Sequence, residues 1–325
     1  MTRTSLISVL TGLNFFIQAS AQRIDNSSVF KTISSDRYFR MQYDNDYFTR
    51  TDLYYTQGIE LEYVNPFLKN FPVSKLLFRP RSSQIRYGIS IDHAAYTPSS
   101  TSSNEILYGD RPFAACLSLK TFAIATDSSR RRRISTALIA GIIGPVAGGR
   151  EMQTTIHRWL DNPLPMGWQY QIQNDIILNY QFNYEKELLD VNNILILSSA
   201  SELRAGTLND KIRGGFNFML GRFSDPYQSV SNTKTGIKKF SYYLYGQPGL
   251  SLVGYDASLE GGVFDHKSPY TISPTGISRI TFQGDYGIVV CVSTFYLEYC
   301  QSYLTKEFST GKYHRWGGIR IGFTL

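Results

Sequence analysis

The sequence has little of what several common protein classes require. Its 325 residues include only 3 cysteines and 3 tryptophans. Charged residues make up 18% of the chain, below the roughly 25% of an ordinary soluble domain. No apolar run beyond the N-terminus approaches the about 18 residues of a transmembrane helix, since the longest, at 137–144, is far shorter. These shortages exclude a disulfide framework and a helical membrane protein.

Apolar and aromatic residues are plentiful. The hydrophobic set makes up 42% of the chain, with 23 tyrosines and 20 phenylalanines. That much apolar surface can offset the entropy of folding, which excludes a disordered chain. The net charge of +7 is compatible with nucleic acid, anionic lipid or no particular partner. Because no nucleic-acid recognition motif is found, we expect no nucleic-acid partner.

The N-terminus has the features of an export signal. Arg3 supplies a positive charge, residues 6–17 form a short apolar stretch, and Ala19-Ser20-Ala21 fits a small-x-small cleavage site. We therefore predict a signal peptide at residues 1–21 and one mature domain at 22–325. The alternative is a buried N-terminal helix.

The three cysteines, Cys116, Cys291 and Cys300, are too few and too scattered for structural disulfides. If Cys291 and Cys300 share one strand, they face opposite sides about 30 Å apart and cannot bond. We interpret all three as small packing residues without a catalytic role.

Apolar and polar residues alternate along most of the chain, as at 59–63, 85–91 and 319–325. A period of two indicates strands with one apolar and one polar face. A soluble sandwich would alternate too, but long segments, aromatic residues near their ends and a final alternating strand favour a closed barrel in a membrane. We predict an all-β, transmembrane antiparallel β-barrel of about twelve strands, near 38–46, 55–64, 84–97, 114–126, 132–144, 168–184, 189–206, 210–223, 239–255, 273–282, 284–304 and 313–325.

Bacterial barrels carry their longer loops on the extracellular side. With both termini in the periplasm, the first, third and fifth connections become extracellular, at about 45–54, 98–113 and 145–167. The basic run at 130–133 then falls in a periplasmic turn, which we interpret as solvated. Residues 224–239 form the clearest polar loop.

The fifth connection contains a short segment of helical character, 150–160. Gln153 and His157 are four residues apart and share one face of that helix. A histidine with a polar neighbour can hold a water molecule and accept its proton. The alternative is a helical lid that plugs the mouth of the barrel.

The first connection begins with Asp44, Asn45 and Asp46. Closely spaced carboxylate and amide oxygens suit Ca²⁺, although the spacing is not that of an EF-hand loop. An acidic, solvated turn would look the same. Thr56, at the start of the next strand, can donate a hydrogen bond to a developing oxyanion.

The third connection ends in GDRPFA at 109–114. Arg111 can form an ion pair with Asp110 that pins the loop, or it can contact a phosphate. We favour the ion pair. All three clusters fall in extracellular connections, which predicts one site at the outer rim, where lipopolysaccharide is the first molecule encountered.

These motifs resemble the lipid A 3′-O-deacylase (LpxR-type) family of outer-membrane proteins. The resemblance rests on Asn45-Asp46 with the following TDLYYTQG, on GDRPFA at 109–114, and on GPVAGGREMQTTIH with GWQYQIQN at 144–174. It implies a twelve-stranded antiparallel barrel and Ca²⁺-dependent hydrolysis of the 3′-linked acyloxyacyl chain of lipid A at the outer leaflet.

Carried over residue by residue, the resemblance makes His157 the general base and Asp46 the principal carboxylate of the Ca²⁺ site, with Asn45 beside it. Thr56 and Gln153 become polar residues around the reacting ester. Members of the family can place a lysine ahead of the GDR block, but residues 95–108 contain neither lysine nor arginine here. Either Arg111 takes over substrate binding, or another loop compensates, or the activity and substrate differ.

Two other functions remain open from the sequence. A non-catalytic barrel, such as a narrow channel, an adhesin or a structural protein, would need none of these residues. A Ser-type outer-membrane phospholipase would need a serine beside a histidine, and His266-Lys267-Ser268 is the one such spacing that stands out. For every reading we expect an outer-membrane protein that is embedded in the membrane as a monomer.

Overall fold

The computed structural model describes residues 33, 35–51, 53–80, 83–228 and 240–325. The signal peptide predicted at residues 1–21 lies outside the described residues, as do residues 229–239 of the predicted polar loop. Within the described part of the chain, no helix is long and apolar enough to span a membrane.

Twelve antiparallel strands close into one barrel, in which each strand pairs with its neighbours in the chain and β1 pairs with β12. The strands are β1 Tyr38–Asn45, β2 Tyr55–Val64, β3 Gln84–Tyr96, β4 Ala114–Asp127, β5 Arg132–Ile143, β6 Asp175–Val191, β7 Leu195–Gly206, β8 Asn209–Arg222, β9 Phe240–Asp256, β10 Ile280–Val292, β11 Phe295–Leu304 and β12 His314–Thr324. Closure satisfies the main-chain groups of every strand, which a lipid environment demands. The predicted fold class is confirmed.

The strands alternate between the interior and the membrane-facing wall. On β1, Arg40 and Gln42 are buried inside the barrel, whereas Met41 between them is exposed. The apolar face therefore points outward and the polar face inward, the reverse of a water-soluble barrel.

Paired charges fill the interior. Arg40 binds Glu62 at 2.6 Å, and Arg320 pairs with Glu298, which also accepts a hydrogen bond from the Tyr245 hydroxyl at 2.5 Å. All five of these side chains are buried. Burying a charge is costly unless a partner compensates it, and here each charge has one.

Because all strands are antiparallel, the connections after odd-numbered strands share one end of the barrel, which we call the outer end. It carries helix α1 Gly149–Trp159, between β5 and β6, and the short helix α2 Ala257–Glu260, after β9. The start of β1 and the end of β12 lie at the opposite, inner end. The expected contrast in loop length holds only in part, since the β2–β3 connection at the inner end is also long and contains two short 3-10 helices, Pro66–Asn70 and Pro72–Leu76.

Several predicted strand boundaries are wrong. Strand β6 ends at Val191 and β7 begins at Leu195, rather than at 184 and 189, and β10 begins at Ile280 rather than 273. Strand β6 begins at Asp175 rather than 168, because Trp168–Tyr170 forms a 3-10 turn beneath α1. Strands β10 and β11 meet in a tight turn at Ser293, which has a φ of 56°. That turn lacks glycine, proline and asparagine, so no sequence signal marks it. Cys291 and Cys300 consequently lie on different strands, and both are buried free thiols, as is Cys116.

The basic run at 130–133 is more than a solvated turn. Arg131 pairs with Glu187, Asp190 and Asp225 across the inner end. Arg133 points into the barrel and donates a hydrogen bond to the Pro226 carbonyl. The run thus ties the β4–β5 turn to two neighbouring connections.

Candidate functional site

The end of β1 and the start of β2 bring three of the predicted site residues together. Asn45, the last residue of β1, lies directly opposite Gln57 in the β1–β2 pairing. Asp46 follows Asn45, and Thr56 precedes Gln57, so each is the chain neighbour of one member of this pair at the outer end. Residues paired in this way have Cα atoms about 5 Å apart.

Asn45 is the N-cap of a short 3-10 helix, Asp46–Thr49. Its Oδ1 accepts a hydrogen bond from the Tyr47 amide at 2.8 Å, and its Nδ2 donates to the Tyr43 hydroxyl at 3.1 Å. An asparagine side chain at this position satisfies a main-chain N–H that the helix leaves open. Both ends of the amide are therefore engaged, and Asn45 fixes the turn that carries Asp46.

Asp46 is almost fully buried in the first turn of that helix. Its main-chain carbonyl accepts a hydrogen bond from the Thr49 hydroxyl at 2.9 Å. The Thr49 and Thr51 hydroxyls also bond the Arg315 carbonyl, at 2.9 and 2.7 Å. The loop that carries the Asp46 carboxylate is thus tied down to β12.

Thr56 sits in a β-bulge. The register between β2 and β3 shifts between Tyr55 and Gln57, which leaves Thr56 as the extra residue. Bulges re-aim side chains and are common beside active sites. The Thr56 hydroxyl lies 2.6 Å from that of Thr97, and both are buried. One hydroxyl must donate to the other, which orients the Thr56 side chain.

Helix α1 and the residues around it pack on the outside of the barrel wall. The contacting cluster consists of Ala95, Phe113, Ala115, Ala147 and Trp168. Ala115 shares its face of β4 with Leu117 and Leu119, whose side chains are exposed on the outer wall. The helix therefore does not plug the mouth of the barrel, as the alternative interpretation had it; it lies against the wall that faces the membrane.

Gln153 anchors α1 to this cluster. Its side chain is buried, and Oε1 accepts a hydrogen bond from the Trp168 indole at 2.7 Å. The Trp168 ring in turn packs on Phe113, with centroids 4.9 Å apart. Gln153 thereby fixes the rotation of the helix about its axis.

His157 lies one turn after Gln153 and is half-buried. Its Nδ1 is 2.6 Å from the Pro163 carbonyl oxygen. A carbonyl can only accept a hydrogen bond, so Nδ1 carries the proton and Nε2 holds the lone pair of the neutral ring. A fixed tautomer of this kind is what a histidine general base requires.

Arg111 is buried, and its guanidinium pairs with Glu307. It also donates to the Ser258 hydroxyl at 2.7 Å and lies 4.2 Å over the Tyr96 ring. Burial lowers the pKa of Arg111, but the negative charges of Glu307 and Asp256, the Tyr96 side chain and the hydrogen bond to Glu307 together raise it above its ordinary value.

The predicted ion pair between Arg111 and Asp110 is wrong, because Arg111 pairs with Glu307 instead. Asp110 instead accepts hydrogen bonds from the Ser99 amide at 2.9 Å and the Ser99 hydroxyl at 2.5 Å. The two neighbouring charges thus pin different parts of the same loop. Substrate binding by Arg111 stays a prediction.

The donor atoms near Asp46 are oxygens, which is the ligand type that Ca²⁺ prefers. Across the described ranges, however, no three His, Cys, Asp or Glu side chains gather into a group that could hold a metal ion. Asp46 would supply a carboxylate. The Asn45 side-chain oxygen accepts one hydrogen bond from a main-chain amide and keeps a second lone pair, so its role as a Ca²⁺ ligand stays a prediction. The remaining ligands of a Ca²⁺ ion would be main-chain carbonyl, water or substrate oxygens.

Comparison with known proteins identifies the family. The sequence profile described as outer membrane protein LpxR matches residues 6–325. The chain belongs to the LpxR family. Its barrel matches the solved structure of LpxR from Salmonella typhimurium with a TM-score of 0.68 and 19% identity, over 89% of this chain and 100% of that chain.

Other barrels share less with this LpxR-family chain. The β domain of the Bordetella autotransporter BrkA gives a TM-score of 0.45 at 9% identity, over 89% of this chain and 99% of that chain. The comparison with curated proteins gives no match. The family match confirms the predicted resemblance and the outer membrane as the location of the protein.

Sequence reasoning missed the partners that hold these residues in place. Trp168 lies inside the GWQYQIQN motif, so the motif itself could have pointed to it. Thr97, Pro163 and Glu307 carry no such signal, because each contacts its partner through the fold rather than through a motif.

Proposed function

We propose that this protein is an outer-membrane esterase that removes an acyl chain from lipid A at the outer leaflet, with His157 as the general base. The observation that carries the proposal is the hydrogen bond from His157 Nδ1 to the Pro163 carbonyl. It leaves Nε2 as the basic nitrogen, on a helix packed against the membrane-facing wall. Membership of the LpxR family supports the substrate class.

The surroundings of His157 favour a lipid substrate. Trp159 and Leu160 lie two and three residues after it, Leu164 lies just beyond, and all three are exposed apolar side chains. Exposed apolar groups at a membrane surface contact lipid rather than water. An acyl chain in the outer leaflet can therefore reach the helix without leaving the bilayer.

The proposed hydrolysis uses side chains at the outer end. A water molecule attacks the ester carbonyl carbon while His157 Nε2 takes its proton, and the Thr56 hydroxyl donates a hydrogen bond to the oxyanion that forms. The bond to the alcohol oxygen then breaks. His157 returns the proton to that oxygen, which releases a fatty acid and the deacylated glycolipid.

Asp46 is the side chain that would hold Ca²⁺, with its carboxylate kept in place by the Asn45 cap. When bound, such an ion polarises an ester carbonyl and offsets the charge that builds on it. Residues of the β1–β2 loop thus orient the ester, while α1 provides the base.

The channel alternative has less support. The side chains of the barrel interior are buried and paired, as with Arg40 and Glu62 or Arg320 and Glu298. Opening a path for ions would break these pairs and expose uncompensated charges. The phospholipase alternative gains nothing either, because the Ser268 hydroxyl accepts a hydrogen bond from the Gln173 amide at 3.0 Å.

The test is mass spectrometry of lipid A from cells that express the protein. We expect one acyl chain to be lost with the wild type and with His266→Gln, a matched control in another outer connection. His157→Gln should slow the reaction by about 100- to 10,000-fold, the usual contribution of a general base. Full deacylation by His157→Gln would refute the proposal. Phospholipid cleavage that Ser268→Ala abolishes would favour the phospholipase instead.

A further inference from the structure

The inner end of the barrel carries an unusual connection. Periplasmic turns of outer-membrane barrels are short, and three at this end follow that rule, between β4 and β5, between β6 and β7, and between β10 and β11. The β2–β3 connection is much longer. We call its described part, residues 65–80, the collar.

One side of the collar packs on the outer wall of the barrel. Leu68 and Leu77 are buried in a cluster with Tyr87 of β3 and Ala123 of β4. The exposed fractions of the side chains along the outer face of β4 show the same contact. Leu117 and Leu119 are 39% and 50% exposed, whereas Ala123 and Ala125 farther down the strand are 1% and 2% exposed.

Polar contacts hold the collar across several strands. The Phe78 carbonyl accepts a hydrogen bond from the Thr136 hydroxyl of β5 at 3.0 Å, and the Phe78 amide donates to the Tyr180 hydroxyl of β6 at 3.0 Å. Arg79 donates to the Tyr87 hydroxyl at 2.7 Å. The collar is therefore a fixed part of the wall.

The other side of the collar is apolar and exposed. Its exposed apolar side chains are Phe67, Phe71, Val73, Leu76 and Phe78, of which Leu76 is 65% exposed. They continue the lipid-facing wall, since Phe67 packs on Tyr63 of β2 and Phe78 packs on Phe182 of β6, with centroids 6.4 and 6.1 Å apart. Five such residues within one short segment form a patch rather than isolated exposures.

Two lysines flank this patch. Lys69 and Lys75 are both exposed, one in each of the 3-10 helices. A lysine at a membrane interface buries its aliphatic stem among acyl chains and places its ammonium group at the phosphates. The exposed side of the collar is thus an apolar patch with two basic side chains at its edge.

We infer that the collar is a phospholipid-binding surface in the inner leaflet of the outer membrane. Its five apolar side chains lie among the acyl chains, and Lys69 and Lys75 contact the phosphates of anionic glycerophospholipids. Continuity with the lipid-facing wall and charge complementarity to an anionic headgroup select lipid over a protein partner. The inference is independent of the proposed esterase activity.

The first test is nitroxide labelling of the full-length protein in vesicles of phosphatidylcholine and phosphatidylglycerol. The native cysteines are buried, so a label can be directed to Leu76→Cys, with Ser129→Cys in the β4–β5 turn as the water-exposed control. We expect the label at 76 to collide mainly with oxygen and the label at 129 mainly with a water-soluble nickel chelate. Equal exposure of both labels to nickel would overturn the inference. So would dipolar broadening at 76 that grows with the protein-to-lipid ratio, because a second copy would then cover the patch.

The second test addresses the lysines. A fluorophore at Leu76→Cys is quenched by brominated phosphatidylglycerol or by brominated phosphatidylcholine, each at the same fraction of the vesicle. We expect stronger quenching by the anionic lipid, and loss of that preference when Lys69→Gln and Lys75→Gln are added. Equal quenching by the two lipids before the lysines are changed would refute the phosphate contact.

Discussion

Arg111 joins three connections of the outer end. It lies after β3, its ion-pair partner Glu307 lies after β11, and its hydrogen-bond partner Ser258 belongs to α2 after β9. Replacing Glu307 by Gln keeps the size of the side chain and removes its charge. The guanidinium would then stay buried beside the Ser258 hydroxyl and the Tyr96 ring, without its ion-pair partner.

Removing one member of a buried ion pair costs about 3 to 5 kcal/mol, because the other charge is left without compensation. The pair is fully buried on both sides, so solvent screening does not reduce this cost. A loss of 3 kcal/mol changes an opening equilibrium by more than about 100-fold. The strands themselves are held by their own hydrogen bonds, so we expect the loss in the outer connections and not in the barrel.

Hydrogen exchange followed by mass spectrometry measures this directly. Glu307→Gln should exchange the amides of the connections around Arg111 at least about 100-fold faster, with the strands unchanged. The double variant Arg111→Met, Glu307→Met removes both charges and should recover most of the protection. Unchanged protection in Glu307→Gln, together with weaker lipid A binding in Arg111→Met, would refute the structural role and support phosphate recognition instead.

Three further outcomes follow from the outer end. Asp46→Asn should lower lipid A deacylation and abolish the sensitivity of that activity to EDTA. The heat-modifiable migration of the barrel on gels, which reports folding, should not change. Retained EDTA sensitivity would remove Asp46 from a Ca²⁺ site. Thr56→Val should lower kcat by about 100- to 1,000-fold if its hydroxyl serves the oxyanion, and equal kcat values would exclude that role. Gly144→Ala should speed hydrogen exchange of the α1 amides, because φ at residue 144 is +115° and a Cβ there would lie 2.6 Å from the Asn174 main-chain nitrogen. The control Gly214→Ala, which has open space around its Cβ, should leave that exchange unchanged.

The barrel was predictable because its strands face two different solvents. Lipid on one side and a polar interior on the other impose a period of two that survives over most of the chain, as on β1 and β12. Boundaries were less predictable. The turn at Ser293 adopts a left-handed conformation without the residues that usually favour it, so the alternation runs through it unmarked.

The site was predictable as a set of motifs but not as an arrangement. The sequence pointed to Asn45, Thr56 and His157, yet the atoms that orient them come from Tyr47, Thr97 and the Pro163 carbonyl. The tautomer of His157, on which the base assignment depends, is a property of the loop that follows α1. Spacing along the chain carries no information about such a contact.

The outer face of β4 shows how α1 and the collar pack against the membrane-facing side of the barrel. Ala115 near the outer end receives α1 and its cluster, and Ala123 near the inner end receives the collar. Leu117 and Leu119 lie between them and are exposed. Small side chains at both ends let other segments approach the wall closely, while leucines in the middle suit acyl chains. Along this one strand the wall is thus covered by α1 near the outer end and by the collar near the inner end and is exposed between them, which is the placement of α1 that the proposed deacylation at the outer leaflet requires.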